Sequence, residues 1–254
     1  MLLPDLQPLS DRAAVFTHLA QQLLAEHLEE TLGRHRWESD LDERRLSFVS
    51  EERDARLDTR MTIVATVAPG PRSLLWGWSH PQMEAISLPA TREYGEQHDI
   101  ASLTASEVPL PTEAQGEELA ADLTAVTHTV ARAAIAVTGP SHYYSAPAGG
   151  GTRLVTLLAA PELPTVRIDH RFGTRVPAAL ATGLVEDHRL AVQGLADLAG
   201  FRAEWAPEFA AVRLTDPVTH SSVECEFDEQ SRLTRLSGSL GGGEEDGDGP
   251  QAQS

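Results

Sequence analysis

The sequence predicts an α+β fold: antiparallel sheets packed against three to four helices, in an order that suggests two helix-plus-sheet units. Three observations carry this. Apolar residues recur at helical spacing near 11–32, 113–138 and 177–199. Shorter runs between them, such as RMTIVATV and HSSVECEF, alternate apolar and polar residues as half-buried strands do. The glycine loop at 149–151 joins two strand-like runs rather than a strand and a helix, so it reads as a hairpin turn.

The first helix is expected over Asp11–Leu32, with Ser10 as its N-cap and Gly33 as a left-handed C-cap. Phe16, Leu19, Leu23, Leu24, Leu28 and Leu32 form its inner face. A hairpin follows, with Trp37 on one arm and Leu46 and Phe48 on the other. In the next strand Met61, Ile63, Ala65 and Val67 share one face, while Arg60, Thr62 and Thr66 take the other. In LLWGWSHP (74–81), period two puts Leu74, Trp76 and Trp78 on one face, and His80 before Pro81 ends the strand. Two indoles facing a core together contribute several kcal/mol, about 25 cal/mol per Å² over roughly 150–250 Å² each.

QMEAIS and ATREYGEQH read as helical pieces broken by Pro89, followed by a polar link, IASLTASEVPLP. A long helix over 113–138 has Thr112 and Gln115 as a capping box and Gly139-Pro140 as its stop. PTVRIDHRFG suggests one more strand, and 177–199 a helix weakened by Gly183 and Gly194. EFAAVRLT, HSSVECEF and RLTRLSGS close the fold, with Cys225 a core residue flanked by acids. The divisions expected are 8–160, 165–239 and an acidic tail, 240–254, too poor in apolar residues to order itself. Helix, Gly33, Trp37, strands at the start and helix, Gly200, Trp205, strands at the end suggest one unit used twice.

At 254 residues the chain buries enough surface to need no disulfide or metal, and its single cysteine cannot form an internal bridge. A net charge of −18 argues against nucleic acid and anionic membranes as partners. All twenty basic residues are arginine, so a lysine-bearing phosphate loop is excluded. The start, MLLPDLQPLS, lacks a basic leader, and the longest apolar stretch, LVTLLAAP, is eight residues, so a cytoplasmic location is expected.

No zinc-helix motif, nucleophile elbow or cysteine-based metal set is present, and neither cofactor nor metal is expected. Asp169-His170-Arg171 reads as a solvated strand end. In HYYSAPA, alternation puts His142 and Tyr144 on one face and Tyr143 on the other. The expected function is a non-enzymatic module that binds a protein or small ligand. Trp76, Trp78, His80, His142 and Tyr144 are its candidate ligand-binding residues, with no catalytic residue assigned. The alternatives are a hydrolase or isomerase with a pocket near His142, Tyr144 and His80, and a structural subunit that homo-oligomerises.

The helix end AEHLEETLG (25–33), Trp37 with Leu46 and Phe48, LWGW (75–78), Tyr94-Gly95, and Tyr143-Tyr144 through Gly149-Gly150-Gly151 together resemble a largely actinobacterial family, domain of unknown function 6882. The resemblance covers about 10–160 and departs at 76–80, where the family has Trp-Ala-Trp-Ala-Asn and this chain Trp-Gly-Trp-Ser-His. It implies no activity, and the C-terminal third is unmatched.

Overall fold

The computed structural model describes residues 2–183 and 185–241. Helix α1 runs Gln7–Leu32, starting a turn earlier than expected. Ser10 is buried inside it and caps nothing. Pro8 in its first turn suits the early start, and Asp11 Oδ2 accepts the N–H groups of Glu186 (3.0 Å) and Asp187 (3.1 Å), which ties α1 to the distant segment before α6. Gly33 ends α1 at φ 62° and ψ −135°.

The first sheet has seven strands among the described residues: β1 His35–Asp40, β2 Arg45–Ser50, β3 Arg56–Ala68, β4 Ser73–Trp76, β5 Glu107–Pro109, β6 His142–Pro147 and β7 Arg153–Ala159. Every ladder is antiparallel. The long β3 is its centre, pairing β2 at its start, β4 at its end and β7 along 60–67. Ile63 faces Thr156 but Ala65 faces Val155, so Val64 is an inserted bulge residue. The bulge corrects the single face expected for this strand: Met61 and Ile63 pack in one apolar cluster and Ala65 and Val67 in the other, all buried because both faces of β3 are covered at its middle.

Strand β4 stops at Trp76, and 77–79 form a 3₁₀ turn, which corrects the expected alternation through Trp78. The cause is Gly77, where a Cβ would lie 2.8 Å from the Ile63 carbonyl oxygen and 3.2 Å from Ser87 Cβ. The segment around Ser87 bridges to Ile63 and displaces further pairing. Only a 3₁₀ turn, Glu84–Ile86, forms in QMEAIS, before α2 (Ala90–His98). The polar link holds α3 (Ala101–Thr104) and β5, whose Val108 is buried opposite Leu74.

Helix α4 spans Gly116–Thr138 and has no capping box. The Thr112 hydroxyl instead donates to Asp122 Oδ2 (2.6 Å) and accepts the Ala114 N–H (3.1 Å). Leu123, Val126, Val130 and Ala133 of the expected stripe are buried.

Residues 164–169 are irregular rather than a strand, because Asp216 takes the Ile168 N–H (3.3 Å) in place of a ladder. The single helix expected over 177–199 is two, α5 (Phe172–Leu180) and α6 (His188–Ala199), parted near Gly183 at φ 71°. Leu184, expected inward, lies outside the described residues, as does the expected disordered tail from 242 on. Gly194 is no weakness: a Cβ there would lie 1.8 Å from the Arg12 carbonyl oxygen, so only glycine lets α6 cross α1.

The second sheet has four strands in sequence order, β8 Arg202–Trp205, β9 Ala211–Thr215, β10 Ser222–Phe227 and β11 Leu233–Ser239. The first of these was absent from the sequence reading. One apolar core joins Ala13–Ala20 of α1, Val64–Val67, α4, α5, α6 and the inner face of the second sheet. A second cluster packs Leu24, Leu28 and Leu32 of α1 on Leu46, Phe48, Met61 and Leu158. Among the described residues no helix is long and apolar enough to cross a membrane.

Candidate functional site

The β6–β7 hairpin sets the geometry. His142 pairs with Leu158, which pairs on its other side with Met61; Ala159 of the next rung pairs with Arg60. Beyond these strand ends the chain turns through Ala160, Pro161, Leu163 and Pro164 toward α5 and cannot pack tightly against α1. The result is a cavity of about 620 Å³ between the hairpin, Phe16 and Ala20 of α1, Leu198 and Ala199 at the end of α6, and residues 163–167. That is the size of many small-molecule sites. Arg60, Ala159, Pro161 and Thr165 are exposed at its rim, while Phe16, His142, Leu158, Val166 and Leu198 are buried within it.

His142 is the buried polar group of this wall. It is 8% exposed and its Nε2 is buried without a hydrogen-bond partner. Burial, and then the nearby His27 of α1, lower its pKa to about 4, so the imidazole is neutral at pH 7. A buried polar atom left unpaired costs about 1–3 kcal/mol, which a ligand atom bonded there restores.

The wall at 165–167 is held from behind. Asp216, fully buried, accepts the N–H groups of Ile168 (3.3 Å), Val218 (2.8 Å) and Thr219 (3.4 Å) and lies 3.6 Å from Arg167 Nη1. The Ser141 hydroxyl bonds the carbonyls of His142 and Leu158 (both 2.9 Å) and so braces the other end.

Of the five expected site residues, only His142 lines the cavity. Trp76 is fully buried in the core and donates from Nε1 to the Ser102 carbonyl (2.7 Å). Trp78 is half-buried, with the Arg92 guanidinium 5.1 Å from its ring centre. His80 accepts the Gln82 N–H at Nδ1 (3.2 Å) in the turn after β4. Tyr144 packs edge-on against Phe48 (5.3 Å) and beside Trp37 (6.1 Å). The catalytic alternative therefore has one of its three residues at the pocket.

Tyr143 points to the opposite face, where its hydroxyl lies 2.5 Å from His128 Nδ1, and Gln21 pairs with its main chain at the sheet edge (3.0 and 3.3 Å). Asp169-His170-Arg171 is a turn: Asp169 Oδ1 accepts the Arg171 N–H (2.9 Å), and Arg171 pairs with Glu26 (3.0 Å). Cys225 is buried, and burial pushes its pKa up to about 12, which leaves an unreactive thiol.

Sequence reading missed Arg60, Arg167 and the segment 160–167. Arg60 was read as an ordinary outward residue of a strand. The available signal was Pro161 and Pro164, two breakers directly after a buried strand.

Fold and cavity together define an antiparallel α+β protein with an apolar site at the seam between the first sheet, α1 and the end of α6. Residues 7–161 match a family of unknown function (DUF6882), and the chain belongs to it. No curated protein and no solved structure matches the chain. The cavity is built across the edge of the match: Arg60, His142 and Leu158 lie inside it, and Thr165, Arg167 and Leu198 outside.

Proposed function

We propose that the protein is a non-catalytic binding module for a small, mainly apolar ligand held in the cavity at the seam. The observation that carries this is a cavity of about 620 Å³ walled by Phe16, Leu158, Val166 and Leu198 with one unpaired buried imidazole nitrogen, on His142. Binding is favoured over turnover because the Ser141 hydroxyl, next to His142 in the chain, is spent on main-chain carbonyls. N-phenyl-1-naphthylamine, a neutral apolar probe, tests the reading. Its fluorescence should saturate at one probe per chain, and Ala199→Trp, which fills the cavity from the end of α6, should abolish the signal while the circular dichroism spectrum stays unchanged. Equal binding to both forms removes the reading.

A second reading, docking of a protein partner, is favoured by Phe209. It is 61% exposed, packs edge-on against Trp205 (5.6 Å), and sits at φ 55° after Glu208 at φ 58°. Two consecutive left-handed non-glycine residues cost of order 1–3 kcal/mol each. A photo-reactive p-benzoylphenylalanine at 209 should cross-link to a discrete protein in native lysate; a band at twice the chain mass would mark self-association, and no adduct removes the reading.

A further inference from the structure

The seam cavity's electrostatics narrow its ligand class. The chain carries 38 acidic residues against 20 arginines, so a randomly placed cavity would be lined by carboxylates. Among the described residues none of its lining side chains is acidic, and two are arginines. They are not equivalent. Arg167 is compensated by buried Asp216. Arg60, exposed at the rim, forms neither an ion pair nor a side-chain hydrogen bond among the described residues. Its neighbour across the β2–β3 ladder is Arg45, which pairs with Asp40 at 3.5 Å. Arg45 therefore has its own carboxylate, and Arg60 is the cation of this pair with none among the described residues.

We propose that the cavity takes an anionic amphiphile, with its apolar body between Phe16, Leu158, Val166 and Leu198 and its anionic head on the Arg60 guanidinium at the rim. This rests on the small-ligand reading above. Arginine suits the head because its planar fork offers two parallel N–H donors to a carboxylate or phosphate. His142 sits on the adjacent rung, whose side chains take the opposite face of the sheet, so the head group rests on Arg60 alone while His142 lines the same cavity.

Four twelve-carbon probes, each titrated calorimetrically below its micelle concentration, test the proposal: dodecanoate, dodecyl phosphate, dodecan-1-ol and dodecylammonium. The anions should bind at least tenfold more tightly than the alcohol, and the ammonium more weakly than the alcohol. The tighter of the two anions identifies the head. Arg60→Gln should bring the anions down to the alcohol's affinity and leave the alcohol unchanged, while Arg60→Lys retains most of the preference. Equal affinities for anion and alcohol, or an anion preference that survives Arg60→Gln, overturn the anionic class but leave the small-ligand reading intact. Failure of all four probes removes both. A dimer in sedimentation that excludes every probe would give the cavity to a second copy of the chain, and also overturns the proposal.

Discussion

Two stretches of the chain begin alike and end differently. Each has a helix, a left-handed glycine, a strand bearing a tryptophan, and an antiparallel meander: α1, Gly33 and Trp37 in the first; α6, Gly200 and Trp205 in the second. In the second the meander stops at four strands, and Trp205 bonds back to its own helix through Gln193 (2.6 Å). In the first, the thirteen-residue β3 outgrows its partners and recruits β4 and β7, so the sheet reaches seven strands. Trp37 turns to Tyr144 of the recruited hairpin instead. The lesson is that the local order specifies a helix and a meander, while the length of one strand decides how large the sheet becomes. Where the β3–β7 and β6–β7 ladders end, at Arg60, His142 and Ala159, the cavity opens between the first sheet, α1 and the end of α6.

Three measurements break or sharpen the comparison. The largest effect is expected where the units meet. Gly194→Ala places a Cβ on the Arg12 carbonyl, and overpacking against backbone should cost about 3 kcal/mol or more. Loss of cooperativity in urea unfolding, with the two sheets melting apart, is the expected sign; an unchanged midpoint would mean the helices do not cross as described.

Acid comes next, and acts more on the first unit. Burial lowers the pKa of His18, His128 and His142 there, against His188 alone in the second. For His142 the folded value, about 4, lies below the ordinary 6.5. Above pH 6.5 both states are neutral. As pH falls from 6.5 toward 4 the unfolded chain takes the proton first, so stability is lost in that window. At 1.36 kcal/mol per unit the loss is about 3 kcal/mol as an upper figure. Urea midpoints of the protein and of His142→Leu, compared at pH 7 and 4.5, should diverge on acidification; parallel shifts would show that the ring is solvated.

The smallest effect separates the two glycines. Gly200 sits at φ 73°, ψ 28°, which asparagine tolerates; Gly33 sits at φ 62°, ψ −135°, which suits glycine alone. No backbone atom obstructs a Cβ at either position, so the difference is backbone strain. Gly33→Ala should cost about 2–3 kcal/mol and Gly200→Ala about 1, with Gly200→Asn near neutral. Equal thermal shifts for the two alanine variants would erase the distinction.

Much of the first unit was legible in sequence because its signals are local. The stripe from Phe16 to Leu32 and the split of Tyr143 from Tyr144 each follow from one repeating geometry, whereas the Val64 bulge breaks the single face expected from Met61 to Val67. The failures occurred where a distant group overrides the local one. Residues 164–169 form no strand because Asp216 takes the Ile168 N–H, and Trp78 leaves the strand because Ser87 occupies the ladder beside Ile63.

The sequence by itself determined the α+β class, most helices and strands, the buried cysteine and the acidic surface, since periodicity and composition act over a few residues. It also marked His142, though for the wrong company. Only the tertiary structure decided that Gly194 is the crossing point of two helices, that Arg60 has no counter-charge among the described residues, and that a cavity opens beside His142. Each of these depends on atoms more than a hundred residues apart meeting or failing to meet, and the spacing along a chain does not record that distance.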